Sequence, residues 1–292
     1  MSLHLPGSPE WGRMVSASKA APMLGLSPWD SPRAMWHKMK GDLAWDEENA
    51  AMERGNLCEP AVLAWWRKHN EHADWREQVT IEHEDWCLAT PDALAVVDGS
   101  EVLLEAKTAA KMDDWGTPGT DEIPVHYLVQ VYLAMHVANL NGHEIAEARI
   151  PVLGGYQLLF TEYVVPYSAE HGADILARCK AFHVTLDGDA PPLDDSVATF
   201  DAMKALHPEI DRGESCGVSD QTAHDLIHGA ANLKAAQAAD RLARSTALEA
   251  MGRAQYLTTP DGTRIARRQP RGEAVTFVVV GKPADLERSE VA

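Results

Sequence analysis

The stretch TPDALAVVDGSEVLLEAKT, Thr90 to Thr108, holds two apolar runs joined by Asp98-Gly99-Ser100. Short β-branched runs around an Asp-Gly turn predict a hairpin, with strands at Ala93–Val97 and from Val102 to Lys107. Asp92 stands at the end of the first strand. Glu105 and Lys107 are two apart on the second, so their side chains share a face. If the strands pair, Asp92 reaches that same face. Leu104 and Ala106, on the opposite face, are the expected core.

Two carboxylates converging beside a backbone carbonyl make an oxygen-only site suited to Mg²⁺ or Mn²⁺. A lysine beside them can help position or deprotonate an attacking water and balance charge on a phosphate under attack. The pattern alone leaves a second reading open. Asp after Pro is a common turn residue, and Glu-x-Lys on a strand is a common solvated edge.

Outward from this hairpin the periodicities predict an α/β chain. Residues 14–24 read as a short helix, then the turn-rich GLSPWDSP, then a helix from Pro32 to Lys40 with proline at its start. After Gly55, Leu57, Ala61, Ala64 and Trp65 recur at helical spacing to about His69. Strand-like Trp86–Ala89 follows. PVHYLVQVYLAMHVANL predicts an amphipathic helix with Val125, Leu128, Val129, Tyr132, Leu133 and His136 on one face, stopped by Asn141-Gly142. Two strands joined by Gly154-Gly155 and a helix from about Ser168 to Leu186 complete a mixed sheet flanked by helices. This part spans residues 1–187. Residues 188–292 are expected to form a small appendage, with a linker at 188–200, helices over about 201–252 and a hairpin over about 254–281. Gly252 is the expected helix stop and TTPDGTR the hairpin turn.

Composition sets limits. The chain has 292 residues and a net charge of −18. The first residues, MSLHLPGSPEWGR, lack the basic and apolar regions of a leader, and no apolar run is long enough to span a bilayer. A cytoplasmic protein is expected. The cysteines, Cys58, Cys87, Cys179 and Cys216, form no CxxC pair and are expected as small buried hydrophobes. The acidic balance argues against nucleic acid, but binding depends on where charge sits. Arg13, Lys19, Arg33, Lys38 and Lys40 form one basic cluster, and Arg264, Arg267, Arg268 and Arg271 another. The second is expected to hold DNA or a partner, or to belong to a stabilising cap.

The chain resembles the phage lambda-exonuclease-like family, the YqaJ-type viral recombinases of the PD-(D/E)XK nuclease superfamily. The resemblance runs over roughly residues 10–165 through SASKAAPMLGLSPWDSP, RGNLCEPAVLAWW, ATPDALA, LLEAKT and HYLVQVYLAMHV. It implies a restriction-endonuclease-like core and an enzyme that hydrolyses DNA with Mg²⁺ or Mn²⁺, two ions per site. Asp92, Glu105 and the carbonyl of Ala106 would hold the first ion and Glu59 would complete the second. Lys107 would serve the water, and Gln130 would lie where its amide touches Lys107, the water or the DNA. Tyr127, three residues before it, is expected to pack. Ser18 matches the serine that helps bind a 5′-terminal phosphate in processive members, or else caps a helix. The arginine that precedes it in the family stands where this chain has Trp11, and Arg13 is the nearest candidate. Trp29 and Trp36 could stack on a splayed base, but both are expected in the core. The family further implies 5′→3′ digestion of double-stranded DNA ends, 3′ overhangs handed to a single-strand annealing protein, a homotrimer, and a phage or prophage gene in a bacterial host. An endonuclease of the same superfamily and an inert DNA-binding or scaffold module are the competing readings.

Overall fold

The computed structural model describes residues 8–77, 79–155, 157–272 and 274–283. Met1–Gly7, part of the stretch on which the absence of a leader was read, lie outside them. Internal contacts separate two units, Met1–Ile210 and Asp211–Ala292.

The first unit runs α1 (Pro9–Arg13), β1 (Val15–Ser16), a 3₁₀ turn (Ala17–Lys19), α2 (Ala20–Met23), α3 (Pro32–Lys40) and α4 (Ala50–His69). There follow β2 (Ala73–Glu77), β3 (Ile81–His83), β4 (Cys87–Ala89), β5 (Ala93–Val97), β6 (Ser100–Leu104) and β7 (Lys107–Ala109). It continues with α5 (Val125–Leu140), β8 (Ile145–Gly154), β9 (Leu159–Pro166), α6 (Ala169–Val184) and α7 (Val197–Leu206).

Asp98 and Gly99 both take positive φ, 50° and 81°, the conformation whose twist suits a two-residue hairpin loop. Val97 therefore faces Ser100 and Ala93 faces Leu104. The sheet grows by a parallel crossover: β6 and β7 both pair with β8, reached through α5, and β9 folds back antiparallel on β8. The main order is β2-β5-β6-β8-β7, so the sheet is mixed, as expected. A smaller sheet joins β1, β4 and β3. Residues 14–24 are thus not one helix, because Val15 and Ser16 pair with Cys87 and Leu88.

Both faces of the main sheet are covered. Leu94 and Leu103 belong to a large core with Val129, Leu133 and Ile150, whereas Ala95, Val102 and Leu104 pack against Leu63 and Trp66 of α4. The Leu104 side is therefore only the smaller of two cores. Asn49 caps α4 by accepting from the N–H groups of Ala51 and Met52, so the helix starts before Gly55. Its buried stripe is Val62, Leu63 and Trp66, while Leu57 is exposed. The stripe expected from Leu57, Ala61, Ala64 and Trp65 is rotated, because half-buried Glu59 occupies a place on the true face. Nor is α5 amphipathic: every residue from Val131 to Ala138 is buried. Helix α6 lies so close that a Cβ on Gly172 would stand 2.6 Å from the His136 Cβ.

Residues 188–206 stay with the first unit. Ser31, which caps α3, shares a 2.7 Å hydrogen bond with Thr199 of α7, and Arg33 donates to the Pro191 carbonyl. The division falls after Ile210, not after residue 187, because these bonds tie the expected linker to α3. The second unit is α8 (Asp220–Met251), β10 (Tyr256–Thr258), β11 (Arg264–Arg271) and β12 (Ala274–Val279), with the strands in antiparallel order β10-β11-β12. Ser219 caps α8 and Gly252 ends it. Among the described residues no helix is long and apolar enough to cross a membrane. Cys87 and Cys179 are buried as expected, but Cys58 is half-buried and Cys216 exposed.

Candidate active site

The hairpin register carries Asp92 to the open end of β6. Its N–H donates to the Leu104 carbonyl at 3.1 Å, and its Oδ2 accepts from the Ala106 N–H at 2.7 Å. Here the second strand expected from Val102 to Lys107 is interrupted. Glu105 still donates its N–H to the Arg149 carbonyl. In a parallel ladder the Glu105 carbonyl would accept from residue 151, but that residue is Pro151, which has no N–H. Beside it, the Ala106 N–H has turned to Asp92. The ladder resumes at Lys107, opposite Val152.

Glu105 and Lys107 share a face, as their spacing requires. Lys107 Nζ lies 2.7 Å from Glu105 Oε1, and Gln130 Nε2 of α5 donates to that same oxygen at 2.5 Å. Gln130 thus touches Glu105, not Lys107. The Tyr127 ring, one helical turn earlier, lies with its centroid 5.0 Å from Lys107 Nζ, so it packs on the lysine itself. Glu59 approaches from α4. It lines a cleft of ≈ 150 Å³ with Leu63, Arg67, Glu77 and Asp92.

The electrostatics follow from crowding. Burial, then the charges of Glu105 and Glu59, push the Asp92 carboxyl up to about 8 against the pull of Lys107. Burial and Glu105 also raise Glu59. For Lys107, burial is the largest single influence and works downward. The charges of Glu105 and Asp92 and the bond to Glu105 together overcome it, so its ammonium is held above the usual range. Three acids thus face the Lys107 cation, and burial together with the neighbouring acids favours the protonated form of Asp92.

The donor set fits a hard divalent cation in kind: carboxylate oxygens, an adjacent backbone carbonyl, and an excess of negative charge. Among the described residues, however, no three His, Cys, Asp or Glu side chains are grouped as ready metal ligands. Glu105 is instead occupied by Lys107 and Gln130.

The remaining expected residues lie apart from this cluster. Arg13 pairs with Asp187 at 2.9 Å. Exposed Ser18 caps no helix and shares a 3.0 Å bond with Ser16 Oγ. Among the described residues no hydrogen bond or ion pair joins either to the acids. Lys19, placed above in the first basic cluster, is buried. It donates to the carbonyls of Trp11, Gly12 and Met14 and lies 3.8 Å from the Trp11 ring centroid. Trp36 is buried as expected, but Trp29 is 69% exposed. Its ring meets His126 edge-on at 4.7 Å and lies 6.5 Å from Tyr127. An aromatic path therefore runs from Lys107 to the surface. No periodicity in the sequence announces it, because Trp29 sits in an irregular turn.

Residues 11–141 match the model of the YqaJ-like viral recombinase domain. An uncharacterized protein, YqaJ, from Bacillus subtilis (strain 168) is 24% identical over 211 residues, covering 69% of this chain and 62% of that protein. The chain thus spans less than two thirds of that relative's length. Among solved structures, an alkaline exonuclease (LHK-Exo) from Laribacter hongkongensis is 19% identical, with 60% of this chain and 88% of that chain covered at a TM-score of 0.44. A phage related exonuclease from Haemophilus somnus 129PT is 15% identical, with 60% and 93% covered at a TM-score of 0.44.

Proposed function

We propose that this chain, whose residues 11–141 match the YqaJ-like viral recombinase domain, is a metal-dependent DNA exonuclease. The observation that carries the reading is the gathering of Glu59, Asp92 and Glu105 around the ammonium of Lys107. Asp92, Glu105, the Ala106 carbonyl and Glu59 would hold Mg²⁺ or Mn²⁺, two ions per site. Bound there, the cations would supply the Lewis acidity that phosphodiester hydrolysis requires.

The chain's own groups have separable tasks. The Ala106 N–H fixes the Asp92 carboxyl, and Gln130 fixes Glu105. Lys107, its ammonium favoured by its acidic neighbours, is a charged donor for a phosphate oxygen or an attacking water. Loss of the Glu105–Lys107 contact on substrate entry would free both partners. Exposed Trp29 offers a ring on which a base at the DNA end can stack. Ser18 and Arg13 are the proposed contacts for a 5′ phosphate, for which Arg13 must leave Asp187.

The reading extends to 5′→3′ digestion of double-stranded ends in the cytoplasm of a bacterial host. The 3′ overhangs would pass to a single-strand annealing protein, and a homotrimer encircling the duplex would make digestion processive. Linear and covalently closed circular duplexes, end-labelled where ends exist, test it with and without Mg²⁺. Linear DNA should lose its 5′ label first, only with the cation, and circles should persist. Cleavage of closed circles at the linear rate would replace the exonuclease by an endonuclease. Cleavage undiminished in EDTA would end the metal-dependent reading.

A further inference from the structure

The second unit differs from the first in charge. Residues 211–292 carry eleven basic and eleven acidic side chains, so the whole net charge of −18 resides in residues 1–210. Within residues 252–283, around the β10–β12 sheet, six basic side chains stand against two acidic ones.

The fold sorts these arginines by task. Arg268 donates to the Gly252 carbonyl at the end of α8, where a cation offsets the helix dipole. Its cross-strand neighbour Phe277 lies beneath Arg244 of α8, and Ala266 on the same side of β11 is buried. The end of α8 thus meets this face around Ala266 and Phe277, while Val275 and Val279 on it stay exposed. Arg264 lies over the Tyr256 ring at 4.2 Å.

The other face is open. Arg267, Gln269 and Arg271 alternate along it and are all exposed. Tyr256 on β10 is opposite Arg267, while Val278, Thr276 and Ala274 on β12 face Arg267, Gln269 and Arg271. None of these neighbours carries a negative charge. Among the described residues neither the Arg267 nor the Arg271 side chain has a hydrogen bond or ion pair with the protein. Two arginines about 13 Å apart along the strand backbone, beside an exposed tyrosine, form a surface complementary to an extended polyanion with π-faced bases.

We propose that this open face binds the phosphodiester backbone of DNA, with Arg267 and Arg271 on phosphates and Tyr256 stacked on a base. The proposal rests on the reading of the chain as a DNA-acting protein, but not on its cleavage chemistry.

The test measures anisotropy of labelled single-stranded and duplex oligonucleotides with the full chain in EDTA, over a salt series. Arg267→Ala/Arg271→Ala should weaken binding roughly tenfold. It should also flatten the slope of log K against log salt by about 1.4 for single strands or about 1.8 for duplex, two phosphates' worth. The larger of the two losses identifies the form of DNA bound. Lys234→Ala, which removes an exposed cation of α8 outside the sheet, should change neither quantity. Ala274→Lys adds a cation beside Arg271 and should tighten binding and steepen the slope. Unchanged affinity in the double variant overturns the proposal, as does an equal loss in Lys234→Ala. Should the double variant fail to fold, the absence of any gain in Ala274→Lys overturns it. A wild-type chain that binds through these arginines yet cleaves nothing would remove the nuclease reading and leave this one standing.

Discussion

Replacing Asp92 by Asn should stabilise the metal-free first unit, and by an amount that grows with pH. The folded carboxyl titrates at about 8, whereas its ordinary value is 3.8. A carboxyl raised on folding is fully compatible with the fold below the unfolded value. It destabilises progressively as pH climbs from 3.8 towards 8, and the penalty is constant above that. At 1.36 kcal/mol per pH unit, the wild-type chain above pH 8 sacrifices on the order of 5 kcal/mol. Asn is nearly isosteric and its amide oxygen can still accept from Ala106, so the variant escapes that loss. Thermal unfolding in EDTA across pH 4 to 9 should show the two proteins nearly equal at the acid end. At the alkaline end the variant should melt on the order of 10 °C higher. Mg²⁺ should then narrow the gap by stabilising only the wild type, by about 2.7 kcal/mol at a hundredfold excess over Kd. A pH-independent difference, or an equal Mg²⁺ effect on both proteins, would refute the picture of crowded acids awaiting a cation.

Further outcomes follow from the same contacts. Lys107→Met should lower the cleavage rate by about 10²-fold or more while the fold survives; wild-type turnover in a nuclease assay would remove Lys107 from the chemistry. Gln130→Leu strips one of two donors from Glu105 Oε1, and outer-shell losses of this kind cost about 10- to 100-fold in metal affinity or rate, which a Mg²⁺ titration of activity will register. Gly172→Ala forces a methyl against His136, so about 1–3 kcal/mol of stability should be lost, read by denaturant unfolding, with no specific effect on Mg²⁺ affinity. Trp66→Ala empties a fully buried site and removes a donor from Glu162; about 3–5 kcal/mol should go, and a melting point unchanged from wild type would show that the α4 core is misassigned.

The hairpin and its acids were legible because a local signal fixes them. Asp98-Gly99 sets the pairing, and pairing carries Asp92 to the face of Glu105 and Lys107. Glu59 was reached by family resemblance alone. A glutamate on the buried stripe of α4 interrupts its apolar period, which is why Leu57, Ala61 and Ala64 looked like the core face. Helix α5 misled in the opposite way. It is apolar all round because other elements enclose it, and a single-faced reading has no means of counting neighbours. ADWRE, the edge strand β2, has no apolar alternation and escaped notice. Exposure of Trp29 and burial of Lys19 depend on three-dimensional surroundings that no residue spacing encodes. The division after Ile210 likewise depends on Ser31 and Thr199, far apart in sequence.

Pro151 carries a lesson about rigidity. An alanine there could lend β8 the N–H it lacks and stitch the strand continuously past Glu105. The chain instead keeps a gap in its stiffest layer, beside the carboxylates that must rearrange if they are to exchange a lysine for an ion. Closing that gap would be expected to make a sturdier molecule and a poorer catalyst. The pyrrolidine ring thus leaves the β6–β8 ladder open beside the very carboxylate that Lys107 and Gln130 hold.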